Sequence, residues 1–340
     1  MKTSFTADCG ERDVGIGGYI IDRTKWAAEV RRLSEINNIK ATWSIIRQWI
    51  IIAIVVGLAL WTKHWAVWVI AAIVCATRQH ALAVIMHDAT HYRLFTNRWV
   101  NEIISDLFCA FPVGLSTQLY RKQHLEHHRY TNTDKDPYWT QMMAQEDWNW
   151  PKLHIESFKL FFKDIIGLNA HKMFAVISQW SPWPRVLKLD KGDNVLTPVE
   201  QIRWVAFVVV MLVVLYFTHG WLPFLLLWVL PSITILGAFF RMRGIAEHLV
   251  LESEHELNST RHVDATLLER WSIAPLNINC HIAHHLFPSV PQYNLPELQR
   301  ILMKDETFRE HAHLVKNYLS LRNGVLAEIS LPSKTSAVIS

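Results

Sequence analysis

Eighteen of the 340 residues are histidine, and nine of these fall into a pattern. His87 and His91 stand in HDATH, His124, His127 and His128 in HLEHH, His281, His284 and His285 in HIAHH, and His248 closes an AEH triplet. Spacings of three and four place the members of each box on one face of a helix. At this histidine content the word HxxHH arises by chance about 0.05 times in a chain of this length, so two copies signal chemistry. Imidazole is a good ligand for iron, zinc, copper and nickel, and donor type alone leaves the metal open. Number says more. A structural zinc closes with four protein ligands and a catalytic zinc uses about three, so nine histidines exceed the needs of one ion and suit two. His64, His154, His171, His219, His311 and His313 stand alone and read as packing or surface residues. His255 and His262 read as part of a charged cytosolic surface.

Histidines so far apart in sequence need a scaffold that returns them to one place. The composition, 51% hydrophobic and 19% charged, calls for a protein that lies partly in lipid and partly in water. Residues 45–62, 65–86, 202–218 and 221–240 are each apolar enough for a membrane-spanning helix, the last one carrying Pro223 and Pro231. Very short links, at Lys63–His64 and His219–Gly220, fold them into two hairpins. The hairpin tips hold only Lys63, whereas the other side holds Lys25, Arg31, Arg32, Lys40, Arg121, Lys122, Arg203, Arg241 and Arg243, so both termini are expected in the cytoplasm. Trp49, Trp61, Trp65, Trp68, Trp204, Trp221 and Trp228 fall mostly near span ends, as interfacial anchors do.

With that orientation all nine patterned histidines reach the cytoplasmic side. The expected fold is an all-α integral membrane protein: four transmembrane helices in two hairpins, capped by a cytosolic helical domain that carries a histidine-rich di-metal site. Its parts are a cytosolic N-terminal segment (1–44), a membrane and catalytic unit (45–300), and a C-terminal helix and tail (301–340). Residues 99–120 read as interfacial or protein-covered, and residues 155–168 as an amphipathic helix in the headgroup plane. The N-terminal residues have no apolar core of signal-peptide length. Either a bacterial inner membrane or the endoplasmic reticulum would suit this multi-pass arrangement.

The net charge of +4 is small and its basic residues are dispersed, which argues against nucleic-acid binding. Cys9, Cys75, Cys109 and Cys280 form no CxxC pair and read as reduced thiols rather than as disulfides or zinc ligands.

The boxes and the words around them, HHRYTNTDKDP at 127–137 and NINCHIAHHLFPSVPQYNLP at 277–296, resemble the membrane fatty-acid desaturase and hydroxylase superfamily over roughly residues 45–300. The resemblance implies that the nine histidines bind two iron (Fe) ions, as the corresponding nine do in animal stearoyl-CoA desaturases. The first box is HxxxH where those acyl-CoA enzymes have HxxxxH, and so looks closer to acyl-lipid and assorted bacterial desaturases. His80, Asp88, Glu126, Asp134, Asp136, Asn277 and Asn279 lie near enough to the boxes to orient an imidazole through its other nitrogen.

What the resemblance implies chemically is removal of hydrogen from an unactivated acyl chain, with dioxygen (O2) as co-substrate, to leave a C=C bond. The substrate would be a fatty acid, an acyl-lipid or an acyl thioester, gripped by a dry apolar pocket at about 0.8 kcal/mol per buried methylene. The sequence shows no HPGG-type haem motif and no iron–sulfur cysteine pattern, so electrons would come from a ferredoxin or cytochrome b5-type donor with its reductase. The same site could instead decarboxylate a fatty acid to a terminal alkene, or act as a hydroxylase or ketolase. A metal transporter would need polar residues at mid-membrane along several spans. Only Arg78, Gln79 and His80 lie deep in a span, near its cytoplasmic end.

Overall fold

The computed structural model describes residues 18–189 and 196–331 and is predominantly helical; Cys9 and the start of the N-terminal segment lie outside the described residues. The helices that matter for the site are α1 (Asn38–Thr62), α2 (Trp65–Thr90), α3 (Arg98–Ser105), α4 (Thr117–Tyr130), α5 (Pro137–Met143), α6 (His154–Ile165), α7 (Ala170–Ser178), α8 (Pro198–Thr218), α9 (Ile235–His248) and α10 (His281–Leu286). Among the described residues, four helices are long and apolar enough to cross a membrane: α1, α2, α8, and the broken helix Trp221–His248 that ends in α9.

Side-chain caps fix where these helices begin. Asn37 accepts from the Lys40 amide at the start of α1, and His64 Nδ1 from the Ala66 amide at the start of α2. Thr197 and Glu200 form a reciprocal capping box on α8. Two spans run further than apolarity alone predicts. α2 continues beyond residue 86 to Thr90, and the fourth span beyond 240 to His248. The polar residues there are buried against other parts of the protein, so helix continues where hydrocarbon would not tolerate it. The fourth span is broken near Pro231: a π-helical turn covers Leu225–Val229, and Thr234 leaves helical geometry at φ −121°, ψ −94°.

α2 is the central post. It packs on α1, α4 and α9 and is mostly buried, whereas α8 is almost entirely exposed and presents its Val, Leu and Phe side chains outward. Each member of the polar trio inside α2 has a partner, although Gln79 Oε1 and His80 Nε2 are left without one. Arg78 donates to Gln48 Oε1 at 2.9 Å and to the Trp271 carbonyl, Gln79 donates to the Trp228 carbonyl at 2.9 Å, and His80 Nδ1 lies 3.3 Å from the Ser272 carbonyl. Trp61 and Trp65 are exposed beside the link between α1 and α2, but Trp49 and Trp228 are partly buried, stacked on each other with centroids 5.7 Å apart.

α3 and the turn after it are covered by protein on one side: Asn101, Ser105, Asp106 and Cys109 are buried while Trp99, Val100 and Phe108 are exposed, and the chain then bends by 90° into α4. α6 is amphipathic, with Ile155, Phe158, Phe162 and Ile165 exposed. Its buried Asp164 pairs with Arg241 of α9, which fastens it to the fourth span.

The C-terminal part departs from the expected helix and tail. It forms short helices at Leu295–Leu302, Glu306–His311 and Val325–Ile329, and two strands that return to earlier segments. β1 (Lys152–Leu153) pairs in parallel with β4 (Ser330–Leu331), and β2 (His262–Val263) with β3 (Leu314–Val315). Leu298, Leu302, Phe308, Tyr318, Val325 and Ile329 are buried, so this segment is core rather than appendage. Its apolar residues come in runs too short for one helix, separated by turns such as that at Gly324, where a Cβ would sit 2.5 Å from Asn317 Oδ1 and 2.8 Å from the Ser320 carbonyl. His262 is correspondingly a strand residue, with its amide donating to the His313 carbonyl, and is not part of an open charged surface.

Candidate metal centre

The nine patterned histidines converge. His87, near the end of α2, and His91, its C-cap, meet His124, His127 and His128 from α4, His248 from the end of α9, and His281, His284 and His285 from α10. They sort, with Glu247, into three groups, two of which share His248. His87, His91, His124, His128 and His284 can bring one nitrogen each within 4.8 Å of one another. His127, His248 and His285 form a second such set, and His248, His281 and Glu247 a third that shares His248 with it.

Ring nitrogens touch across the boxes: Nε2–Nε2 distances are 2.9 Å for His91–His124, 3.1 Å for His124–His128, 3.1 Å for His128–His284, 3.0 Å for His248–His281 and 3.1 Å for His281–His285. One nitrogen cannot donate a single proton to two neighbours at once, and His124, His128 and His281 each have two. Both nitrogens of His87, Nε2 of His127, and Nδ1 of His124, His248 and His281 are buried without a hydrogen-bond partner. Nε2 atoms crowded to 2.9–3.1 Å with too few protons between them, beside the unpartnered nitrogens of His87 and Nε2 of His127, are compatible with a metal site rather than a hydrogen-bonded core. Burial, then the Arg93 and Arg121 charges, drives His91 down to about 3. Burial, then the neighbouring imidazoles, holds His124, His128, His281, His284 and His285 well below the usual range. These rings are therefore neutral near pH 7, the form that binds metal.

Among the residues suggested as supports, Asp136 takes that position: it is buried, its Oδ2 accepts from His127 Nδ1 at 2.9 Å and from the Asn132 amide, and its Oδ1 caps α5 at Tyr138. The others serve the scaffold. Asp88 accepts from the Gln292 amide, Asn277 donates to the Gln292 carbonyl and Asn279 to the Val263 carbonyl. His80 has Phe239 and Phe240 as its ring neighbours, and Glu126 and Asp134 are exposed. Cys280 is buried, its thiol pushed up to about 12 by desolvation, and it joins none of the three donor groups.

Three contributors escape a reading of the sequence. Glu247 is buried beside His248, accepts from Arg243 at 2.6 Å and lies 3.6 Å from His281 Nδ1. Its only local sign is the Arg243–Glu247 spacing of four. Arg121 donates from Nε to the Thr90 carbonyl and from Nη2 to the Ala89 carbonyl, closing the end of α2, while pairing with Glu102. Arg261 does the same for α9, reaching the carbonyls of Ile245, Ala246, Leu249 and Val250 while pairing with Glu328.

A cavity of about 180 Å³ opens onto this centre. His124, His127, His248 and His281 line its inner end, and Met142, Trp148, Met173, Val176, Ile177 and Trp180 form apolar walls. Gly244 belongs to the wall: a Cβ there would come within 3.2 Å of the Trp148 ring. Each cation on the lining has a carboxylate, Lys172 with Asp147, Arg241 with Asp164, and Arg243 with Glu247.

The fatty acid desaturase family model matches residues 63–316. Among curated proteins, the chain is similar to the sn-1 oleoyl-lipid 12-desaturase of Anabaena variabilis, at 28% identity over 76% of this chain and 75% of that one. It is also similar to dihydrorhizobitoxine desaturase of Bradyrhizobium elkanii, at 26% identity over 83% and 81%. A third relative is a chloroplastic omega-6 fatty acid desaturase of Glycine max, at 25% identity over 81% and 65%. The apolar helices and this kinship together point to a membrane protein. Histidine geometry and sequence similarity lead to one conclusion: the chain belongs to the fatty acid desaturase family and is an oxidoreductase of that type.

Proposed function

We propose that this protein is an O2-dependent di-iron desaturase that introduces a C=C bond into a long acyl chain, with the acyl group carried on a lipid. The observation that carries this reading is the apolar cavity whose inner end is formed by four of the nine clustered histidines. His87, His91, His124, His128 and His284 would hold one iron, and His127, His248, His281 and His285 the other. The irons, when bound, would supply the oxidising power that dioxygen and two electrons provide.

The chain's own residues do the rest. Met142, Trp148, Val176, Ile177 and Trp180 exclude water and hold methylenes in one register, at about 0.8 kcal/mol each. Asp136 fixes the His127 ring by accepting from Nδ1, and Glu247 stands over Nδ1 of His281. The pairing of Lys172, Arg241 and Arg243 leaves the lining without a cation unopposed by a carboxylate, which suits an esterified acyl chain better than a free carboxylate. The relatives named as lipid desaturases support the same carrier.

In the bilayer, the short links at Lys63–His64 and His219–Gly220 would turn two hairpins on the far side, leaving the histidines and both termini in the cytoplasm. Residues 1–44 and 301–340 would flank the 45–300 catalytic unit there. Electrons would come from a separate ferredoxin or cytochrome b5-type protein with its reductase.

The test is mass spectrometry of lipids and volatiles from cells expressing the protein or its His284→Ala variant, supplied with free fatty acids, acyl-CoAs and glycerolipids. New internal double bonds that vanish in the variant are expected. Terminal alkenes one carbon shorter, or hydroxy or keto products, would move the reading to decarboxylation or oxygenation, and identical profiles would remove it.

A further inference from the structure

α4 has two faces. His124, His127 and His128 look inward to the histidine cluster, and Lys122, Leu125, Glu126 and Arg129 are exposed on the outer side. A helix with its side chains is about 10–12 Å across, so anything seated on the outer face lies about one helix diameter from the cluster. Each end of α4 borders a hollow. His91 is half-buried, and the Tyr92 ring beside it lies between the guanidinium groups of Arg98 and Arg121, at 4.8 and 4.0 Å. This end is a hollow of about 620 Å³ that Lys122 and Arg203 also line. At the other end, half-buried His128 and His285 border a smaller hollow lined by Arg129.

Charge is unevenly spread on this face. Arg121 is matched by Glu102 and Arg203 by Asp106, but Arg98, Lys122 and Arg129 are exposed, with Glu126 the acid between them on the outer side of α4. The substrate cavity reaches the cluster elsewhere, through His124, His127, His248 and His281. Among the histidines with an exposed edge, His91, His128 and His285 are all absent from its lining.

We propose that this basic face, from Arg98 and Lys122 to Arg129, is the docking surface for an acidic one-electron carrier that reduces the metals held by the histidines. The proposal rests on the di-iron reading above and adds the place of electron entry. A reduced [2Fe–2S] ferredoxin would give up one electron and return to its oxidised form as one ferric ion becomes ferrous, so two encounters supply the pair. Entry through residues that do not line the cavity lets a carrier bind while the acyl chain is in place. An anionic lipid headgroup would need only the hollow at Arg98, Lys122 and Arg203, near exposed Trp99; the basic face continues past it along α4 to Arg129 and the edges of His128 and His285.

The experiment uses the full chain in phosphatidylcholine nanodiscs and two probes, an acidic [2Fe–2S] ferredoxin and the acidic haem domain of cytochrome b5. Binding is measured by calorimetry at low and high salt for the wild type and for the Lys122→Glu/Arg129→Glu double variant. Salt-sensitive binding of at least one probe, weakened tenfold or more in the variant, is expected, with metal content and reduction by dithionite unchanged. Absence of salt-sensitive binding in the wild type, or equal binding by the variant, overturns the proposal. So does a variant that keeps its carrier affinity but loses a preference for phosphatidylglycerol nanodiscs, which would make the patch a lipid site. Because binding is read without product, failure of the desaturase reading would show separately, in the lipid profiles.

Discussion

The ends of the second and fourth spans set the same physical problem: each delivers histidines to the cluster, and each terminates in carbonyls that the helix alone does not fully satisfy. Both are closed by an arginine from elsewhere, but with different reach. Arg121 comes from α4, one turn before His124, and its partner Glu102 lies on neighbouring α3, so this end is held by residues of the site itself. Arg261 is fully buried and its partner Glu328 lies near the C-terminus. The difference shows why the C-terminal segment is folded into the core: it anchors the group that closes α9 next to Glu247 and His248.

This contrast can be broken from either side. Arg261→Ala leaves the Ala246, Leu249 and Val250 carbonyls short of a donor and should have the largest effect, about 3–5 kcal/mol of stability, read as unfolding in detergent together with loss of metal. Arg121→Ala should lose about 2–3 kcal/mol, because Glu102 can recover water, and equal losses in the two variants would erase the distinction. Asp136→Asn should weaken metal retention by about 10–100-fold, measured by competition with a chelator, whereas Asp88→Asn should leave it unchanged because Asp88 serves only the Gln292 amide.

The smallest effect concerns pH. Burial opposes ionisation of Glu328, but hydrogen bonds from His313 and Arg261 and their charges hold its carboxylate below the usual glutamate range. A depressed folded value means that its contribution is complete above the unfolded value of 4.5 and is lost as pH falls through the folded one. Amide exchange in residues 245–263 should therefore accelerate on acidification below that point, and Glu328→Gln should abolish the acceleration.

Much of this was legible in the sequence because it is local. Histidines three and four apart must share a helical face, and apolar runs of membrane length must be buried in lipid or protein. Asp136 could be named because it follows the second box closely. Arg121, Arg261 and Glu247 could not be assigned their tasks, since a guanidinium that closes a helix 31 residues away, as Arg121 does at Thr90, leaves no periodic mark. The C-terminal strands were invisible for a related reason: two-residue pairings such as Lys152 with Ser330 carry no alternation to read.

Gly244 has a consequence for selectivity. It lies four residues before His248, roughly 6 Å along the helix axis. With the Trp148 ring packed directly on it, no side chain fits between helix and indole, and any residue larger than glycine would have to displace the ring. The girth of the cavity a few carbons from the reacting bond would thus be set by the missing Cβ, leaving overall length to be settled further from the histidines.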